Sequence, residues 1–281
     1  MDGLLLINKE KNMTSRDVVN ILSKELNTKK IGHTGTLDPN ATGVLAIAIG
    51  KCLKIVDEIT ALDKEYEATI TLGYETDTLD DTGIIINKKE INVTEEEVDK
   101  VLESFIGKYE MQVPKYSAIK VNGKKLYEYA RENIDVELPV KEVFIYELKR
   151  TSDVINNRFN IKCKVSKGTY IRSLIRDIGY KLNNYATMSE LNRIKQGKFD
   201  IKDSYTLDDV KNGNYKLLTM KEVIDVPIIE IDDEMYKKVR NGMKIYNEYD
   251  SEKIAFSFND KVIAIYYKDK DIYRAKKVFV D

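Results

Sequence analysis

One carboxylate in this chain sits in a constrained setting. Asp38 lies within Gly32-His33-Thr34-Gly35-Thr36-Leu37-Asp38-Pro39-Asn40-Ala41-Thr42-Gly43, a stretch that holds three glycines and the chain's only histidine. Glycine-rich backbone lets a loop approach a ligand closely. A residue before proline is pushed out of the helical region toward an extended or turn form, so Asp38 presents its carboxylate from a restricted backbone. The apolar run Val44 to Ile49 follows at once. On its own the segment also reads as a plain turn before a buried strand, because Gly and Asp-Pro are ordinary turn residues. The other reactive residue types narrow the chemistry. Cys52 and Cys163 have neither metal nor redox spacing. One histidine and no CxxC make no zinc set, so no metal is expected. A His-based relay would rest on His33 alone, and no Ser or Cys nucleophile motif for acyl transfer is present.

These residues need elements to hold them, and the chain supplies both periods. Leu4 to Ile7 reads as a strand. Thr14, with Asp17 three residues on, caps a helix whose apolar positions are Val18, Ile21, Leu22 and Leu26. Tyr66, Ala68, Ile70, Leu72 and Tyr74 alternate with polar residues, the mark of a half-buried strand. Thr94 and Glu97 form a capping box before Val98, Val101, Leu102 and Phe105. Phe159, Ile161, Cys163 and Val165 alternate as another strand, and Ile171, Leu174, Ile175, Ile178 and Leu182 then follow at helical spacing. Strands and helices mix without a regular βαβ repeat, which predicts an α+β domain around a largely antiparallel sheet flanked by helices. After about residue 225 short apolar runs are separated by turn signals such as Asn241-Gly242 and Asn259-Asp260, which predicts a small all-β appendage. The expected organisation is therefore residues 1–224 and 225–281.

Composition bounds the rest. A chain of 281 residues with 42% hydrophobic content can build a proper core. No run approaches membrane-spanning length, and Leu4 to Ile7 is too short for a secretory signal. A soluble, cytoplasmic protein with reduced thiols is expected, with a monomer as the default state. The net charge is −1, but it is unevenly spread. Residues 57–103 carry 15 acidic and 4 basic side chains, whereas residues 141–202 carry 14 basic and 6 acidic. Such a chain can present a basic face while staying near neutral overall.

The Gly32–Gly43 stretch with Val44 and Leu45 resembles the signature of the TruB type of tRNA pseudouridine synthases, approximately G-H-x-G-T-L-D-P-x-A-T-G-V-L. Further resemblance runs along almost the whole chain: Leu5-Leu6-Ile7-Asn8-Lys9 with Thr14-Ser15, Lys64-Glu65-Tyr66, Leu72-Gly73, Thr76-Asp77-Thr78, Gln112-Val113-Pro114, Gly123 to Arg131, and Lys167-Gly168-Thr169-Tyr170-Ile171-Arg172. The order of these motifs is more specific than any one of them. The family isomerises one uridine in the T-loop of tRNA, at position 55. The resemblance implies a pseudouridine-synthase fold with a PUA-like C-terminal domain, an RNA-gripping insertion at about residues 108–138, a T-arm stem-loop as partner, and neither cofactor nor guide RNA.

Residue by residue, the resemblance implies that Asp38 is the catalytic carboxylate and that Arg172 pairs with it. It gives Tyr66 the base-stacking position, Tyr170 a second place in the pocket, Leu191 the pocket wall, and Lys9 a place in the opening motif at the site. It gives His33 a role in holding the unstacked loop. The chemistry agrees with the residue types. Rejoining a detached uracil to C1′ through C5 needs no redox group, and a carboxylate can act as nucleophile or as base. A carboxylate in a dry pocket tends to protonate, and a guanidinium that pairs through two parallel bonds holds it ionised. Extruding the base costs a few kcal/mol, and stacking on one ring returns about 1–3 kcal/mol. Lys120, Lys124 and Arg131 lie interleaved with Tyr127 and other tyrosines, a pattern that suits an RNA backbone with splayed bases. The same basic and aromatic features would serve a tRNA-binding folding chaperone that does not catalyse; a paired carboxylate argues for the enzyme, because a pure binder gains little from burying one. The chain departs from the family at Glu10 and Asn12, where a proline and a glycine are usual. Asn12 tolerates a left-handed backbone better than most residues. Pro114-Lys115-Tyr116 is one residue shorter than the usual spacing before Ser-Ala.

Overall fold

The computed structural model describes residues 1–246 and 249–280. Its centre is a nine-stranded sheet. Seven strands run in the order Gly3–Lys9, Thr42–Ile49, Ala186–Gln196, Lys64–Leu72, Arg158–Val165, Val140–Arg150 and Gly107–Gln112. Ile31–His33 lies beside Thr42–Ile49, and Phe199–Asp200 beside Ala186–Gln196. Every pairing is antiparallel except one short parallel contact, where Thr42 and Gly43 face Asn192 and Arg193. That contact brings the segment after Asp38 against the strand that carries Leu191.

Two sequence patterns explain the layers. Gly3–Lys9 and Thr42–Ile49 are continuous apolar runs and are buried on both faces. Leu5, Ile7, Leu45 and Ile47 pack under the helices Ser15–Glu25 and Ile171–Lys181, whereas Leu4, Leu6, Val44 and Ala46 pack with Ala255, Val262, Ile265 and Phe279 of the C-terminal domain. Burying each such leucine or isoleucine contributes about 1.5–3 kcal/mol. Lys64–Leu72 and Arg158–Val165 alternate instead, so they have one apolar and one polar face. The two capping boxes read from sequence are present: Thr14 with Asp17 opens Ser15–Glu25, and Thr94 with Glu97 opens Glu95–Glu103. Asn12 takes φ 64°, the left-handed turn that its family position requires.

The C-terminal domain is a four-stranded sheet in the order Ile228–Glu230, Lys253–Phe258, Lys261–Asp269, Ile272–Val278. It is not purely β. Asp232 caps a two-turn helix, Asp233–Val239, which carries no apolar run because only Met235, Tyr236 and Val239 face inward. The domain is tied to the main sheet at Glu58, which pairs with Lys277 at 2.7 Å, and at Lys54, which donates to the Val278 carbonyl at 2.7 Å. The tyrosine-rich excursion leaves the sheet after Gln112 and returns at Val140. It holds a small hairpin, Lys120–Val121 with Lys124–Lys125, and the short helix Leu126–Arg131. Among the described residues no helix is long and apolar enough to cross a membrane.

Candidate active site

Asp38 reaches its place through three local anchors. Ser15, at the start of the first helix, accepts from the Leu37 amide at 2.9 Å. The Ala41 amide donates to the Asp38 carbonyl at 3.1 Å and closes the Asp-Pro turn. Lys9 is fully buried, and its ammonium donates to the carbonyls of Glu10 (2.8 Å), Met13 (2.7 Å) and Pro39 (3.1 Å). It thus sews the opening turn to the residue after Asp38. Burial pulls the Lys9 pKa down to about 8, with the Asp38 charge opposing that fall.

Arg172, the second residue of Ile171–Lys181, meets Asp38 with two bonds: Nε to Oδ2 at 2.9 Å and Nη2 to Oδ1 at 3.2 Å. Its remaining donors go to the carbonyls of Thr78 (2.9 Å) and Tyr116 (3.1 Å). The arginine side chain is 5% exposed while the aspartate remains 35% exposed. The cation is therefore locked inside and the carboxylate faces outward into open space. This is the geometry that holds a carboxylate in one orientation through two charge-assisted bonds.

That space is a cavity of 890 Å³. Asp38, Tyr66, Tyr170, Arg172 and Leu191 all line it, and so does Tyr127 from the excursion. Tyr66 is buried on Lys64–Leu72; burial raises its phenol pKa, and the Arg193 guanidinium beside it opposes the rise. Tyr170 precedes the arginine helix and is half-buried, with its phenol likewise pushed up by burial. Five expected residues stand apart from the cavity wall: buried Lys9, described above, and His33, Lys120, Lys124 and Arg131. His33 is half-buried on Ile31–His33, where its Nδ1 accepts from the Gly35 amide at 3.4 Å. Burial lowers its pKa, helped by Arg16 and Arg193. Lys124 pairs with Glu132 and lies 5.0 Å from the Tyr129 ring centroid, and Arg131 lies 5.3 Å from that of Tyr127. Lys120 is exposed on the hairpin. Among the described residues no group of three or more His, Cys, Asp or Glu is placed to hold a metal ion.

Lys64 and Arg193, to which the sequence reading gave no site role, also line the cavity. Lys64 is buried, donates to the carbonyls of Thr60 (2.6 Å) and Leu62 (2.5 Å), and has its pKa lowered to about 8 by burial. Tyr116 lines the cavity too. Arg193 is 1% exposed and follows Leu191 by two residues on the same strand face. That spacing was the available signal: an arginine in the inward phase of an alternating strand. Gly43 packs on its backbone so closely that a Cβ there would stand 2.3 Å from the Arg193 carbonyl.

Comparison with known proteins fits this geometry. The model of the TruB family pseudouridylate synthase N-terminal domain matches residues 23–171, and that of the tRNA pseudouridylate synthase B C-terminal domain matches residues 172–232. The chain belongs to the TruB family of pseudouridine synthases. It is 43% identical to tRNA pseudouridine synthase B of Staphylococcus haemolyticus, with 99% of both chains covered. It is 44% identical to that of Oceanobacillus iheyensis, over 95% of this chain and 92% of the relative. A solved Cbf5-Nop10-Gar1 complex contains a chain with the same fold, at TM-score 0.75 and 24% identity, covering 99% of this chain and 85% of that one. As a TruB member the protein is an RNA isomerase, and the α+β sheet with its C-terminal β domain is the pseudouridine-synthase fold.

Proposed function

We propose that this TruB protein converts the T-loop uridine at position 55 of tRNA to pseudouridine, with Asp38 as the catalytic carboxylate. The observation that carries the reading is the bidentate Asp38–Arg172 pair on the wall of a cavity also lined by Tyr66, Tyr170 and Leu191. The reaction breaks N1–C1′ and forms C5–C1′; C5 loses a proton and N1 gains one, so the product is an isomer and no electron leaves. Asp38 is exposed enough to touch the ribose or the base, as nucleophile or as base, while Arg172 holds it in place. Tyr66 stacks on the extruded uracil, and Tyr170 and Leu191 close the pocket around it.

The substrate enters as a folded T-arm. Relatives named tRNA pseudouridine synthase B cover almost the whole chain, which supports tRNA as the substrate. In this reading the excursion between Gln112 and Val140 grips the stem-loop, with Lys120, Lys124 and Arg131 on phosphates and Tyr127 at the cavity. His33 supports the opened loop from the far side of the Asp38 turn. The C-terminal β domain, residues 225–281, acts as a PUA-like RNA-binding module, and the enzyme works as a cytoplasmic monomer without guide RNA. Incubating purified protein with unmodified tRNA transcripts, then mapping pseudouridine by chemical adducts, tests the reading. One modified site at position 55 is expected in intact transcripts and in the isolated T-arm. Modification only outside the T-loop would refute it.

A further inference from the structure

Arg193 raises a physical problem that the reading above leaves untouched. Arginine stays protonated, so a full positive charge lies inside the protein. Buried charges are ordinarily paired with opposite ones. Among the described residues Arg193 has no carboxylate partner. Its Nε donates to the Val44 carbonyl at 2.8 Å and its Nη2 to the Gly35 carbonyl at 3.0 Å. Both Asp38 oxygens are already engaged by Arg172. A methionine of similar reach would avoid the desolvation cost of the charge. What the guanidinium has and methionine lacks is a rigid fork that serves several acceptors at once.

The acceptors belong to the site. Gly35 precedes Asp38 by three residues in the same loop, and at φ 149° its backbone is open to Gly alone of the common residues. Val44 is the third residue of the strand that leaves the loop, Thr42–Ile49. Tyr66 is the cross-strand neighbour of Arg193 in the sheet, and both side chains line the cavity. Gln196, further along the same strand, donates to the Thr34 carbonyl at 2.8 Å and the Ile59 carbonyl at 2.9 Å. One strand therefore holds two successive loop carbonyls, and its arginine sits across the strand pair from a tyrosine that lines the same cavity as Asp38.

We propose that Arg193 is a positioning residue for the isomerisation: its guanidinium fork fixes the Gly35 carbonyl and the Tyr66 hydroxyl together, so that Asp38 and the tyrosine ring meet the same base. The inference rests on reading the cavity as the uridine site. It explains why a cation is buried here without an anion, and why Leu191 and Arg193 share one inward face. A loop carbonyl released by about 1 Å would misplace Asp38, and misplacement of that size costs on the order of 10²-fold in rate.

The test compares wild type, Arg193→Lys and Arg193→Met in single-turnover reactions at saturating tRNA, with tRNA affinity and melting temperature measured alongside. Both variants should fold and bind tRNA within about threefold of wild type, and both should lose rate on the order of 10²-fold. Lysine should fail to rescue, because a point charge serves one acceptor at a time. In a Tyr66→Phe background the further loss from Arg193→Met should be clearly smaller than in wild type, since the two residues act through one contact. If Arg193→Met does not fold, Arg193→Lys carries the test, as it keeps the charge and most of the stem. Wild-type rate in a folded variant, full rescue by lysine, or loss confined to tRNA affinity would overturn the proposal. A wild-type protein that leaves position 55 unmodified would instead overturn the functional reading on which it rests.

Discussion

At Asp38 the carboxylate is exposed and its partner is not. Arg172 places all its bonds inside the protein, two on Asp38 and one each on Thr78 and Tyr116, so the pair is anchored from the cation's side. Lys9 works in the same way from beneath, and it gives a pH prediction whose sign is fixed. Its pKa falls to about 8 in the folded state, whereas a free lysine titrates near about 10.4. Between those values the unfolded chain holds more protons, so stability rises with pH there; below about 8 both states are charged and the burial cost is felt in full. Lys64 follows the same rule. Comparing urea unfolding of wild type and Lys9→Met at about pH 7.5 and about pH 9.5, the variant should show a flatter rise in stability over that interval. Equal slopes would mean that the Lys9 ammonium is not the titrating group.

At the scale of elements, the parallel contact between Thr42–Ile49 and Ala186–Gln196 joins the Asp38 loop to the Leu191 strand, and Gly43 is where the two backbones touch. Its φ is 109°, and an added Cβ would lie 2.3 Å from the Arg193 carbonyl and 2.6 Å from its amide nitrogen. Backbone cannot yield as a flexible side chain does. Gly43→Ala should therefore lower unfolding free energy by more than about 3 kcal/mol, read from denaturant midpoints; a loss under about 1 kcal/mol would show that the two strands separate easily. Most elements were legible because local signals agreed: the alternation of Lys64–Leu72, the capping boxes at Thr14 and Thr94, and the apolar face of Ile171–Lys181. The helix Asp233–Val239 was not, since its few inward residues resemble turn sequence. Lys64 and Arg193 were missed for a different reason. Charged residues are read as surface, and only the three-dimensional register shows them turned inward to collect carbonyls. The motif residues Asp38, Tyr66, Tyr170, Leu191 and Arg172 were found by their resemblance to a family, not by period or composition, and they are far apart in sequence until the sheet gathers them.

At the scale of the molecule, the proposed reaction and the proposed grip on RNA rest on different side chains. The cavity is lined by the central sheet and the loops that carry Asp38 and Tyr170–Arg172, with Tyr116 and Tyr127 reaching it from the excursion between Gln112 and Val140, on which Lys120, Lys124 and Arg131 also stand. Lys124 and Arg131 already rest on Glu132 and tyrosine rings, so in the proposed reading RNA replaces those contacts and the net gain per residue is modest. Neutralising the three together should weaken tRNA binding and flatten its dependence on salt, because fewer counterions are released. An unchanged salt slope with a reduced single-turnover rate would assign them to the reaction instead. The same separation gives the most direct test of the whole account. Asp38→Asn keeps the size of the side chain and an acceptor for Arg172 but removes its charge and nucleophilicity. The measurement is single-turnover conversion of unmodified tRNA by this variant, with tRNA affinity determined on the same preparation. The account predicts near-normal affinity, because phosphate and stacking contacts lie elsewhere, and no detectable pseudouridine at position 55. Substantial conversion by a folded Asp38→Asn protein would contradict it and show that another residue starts the reaction.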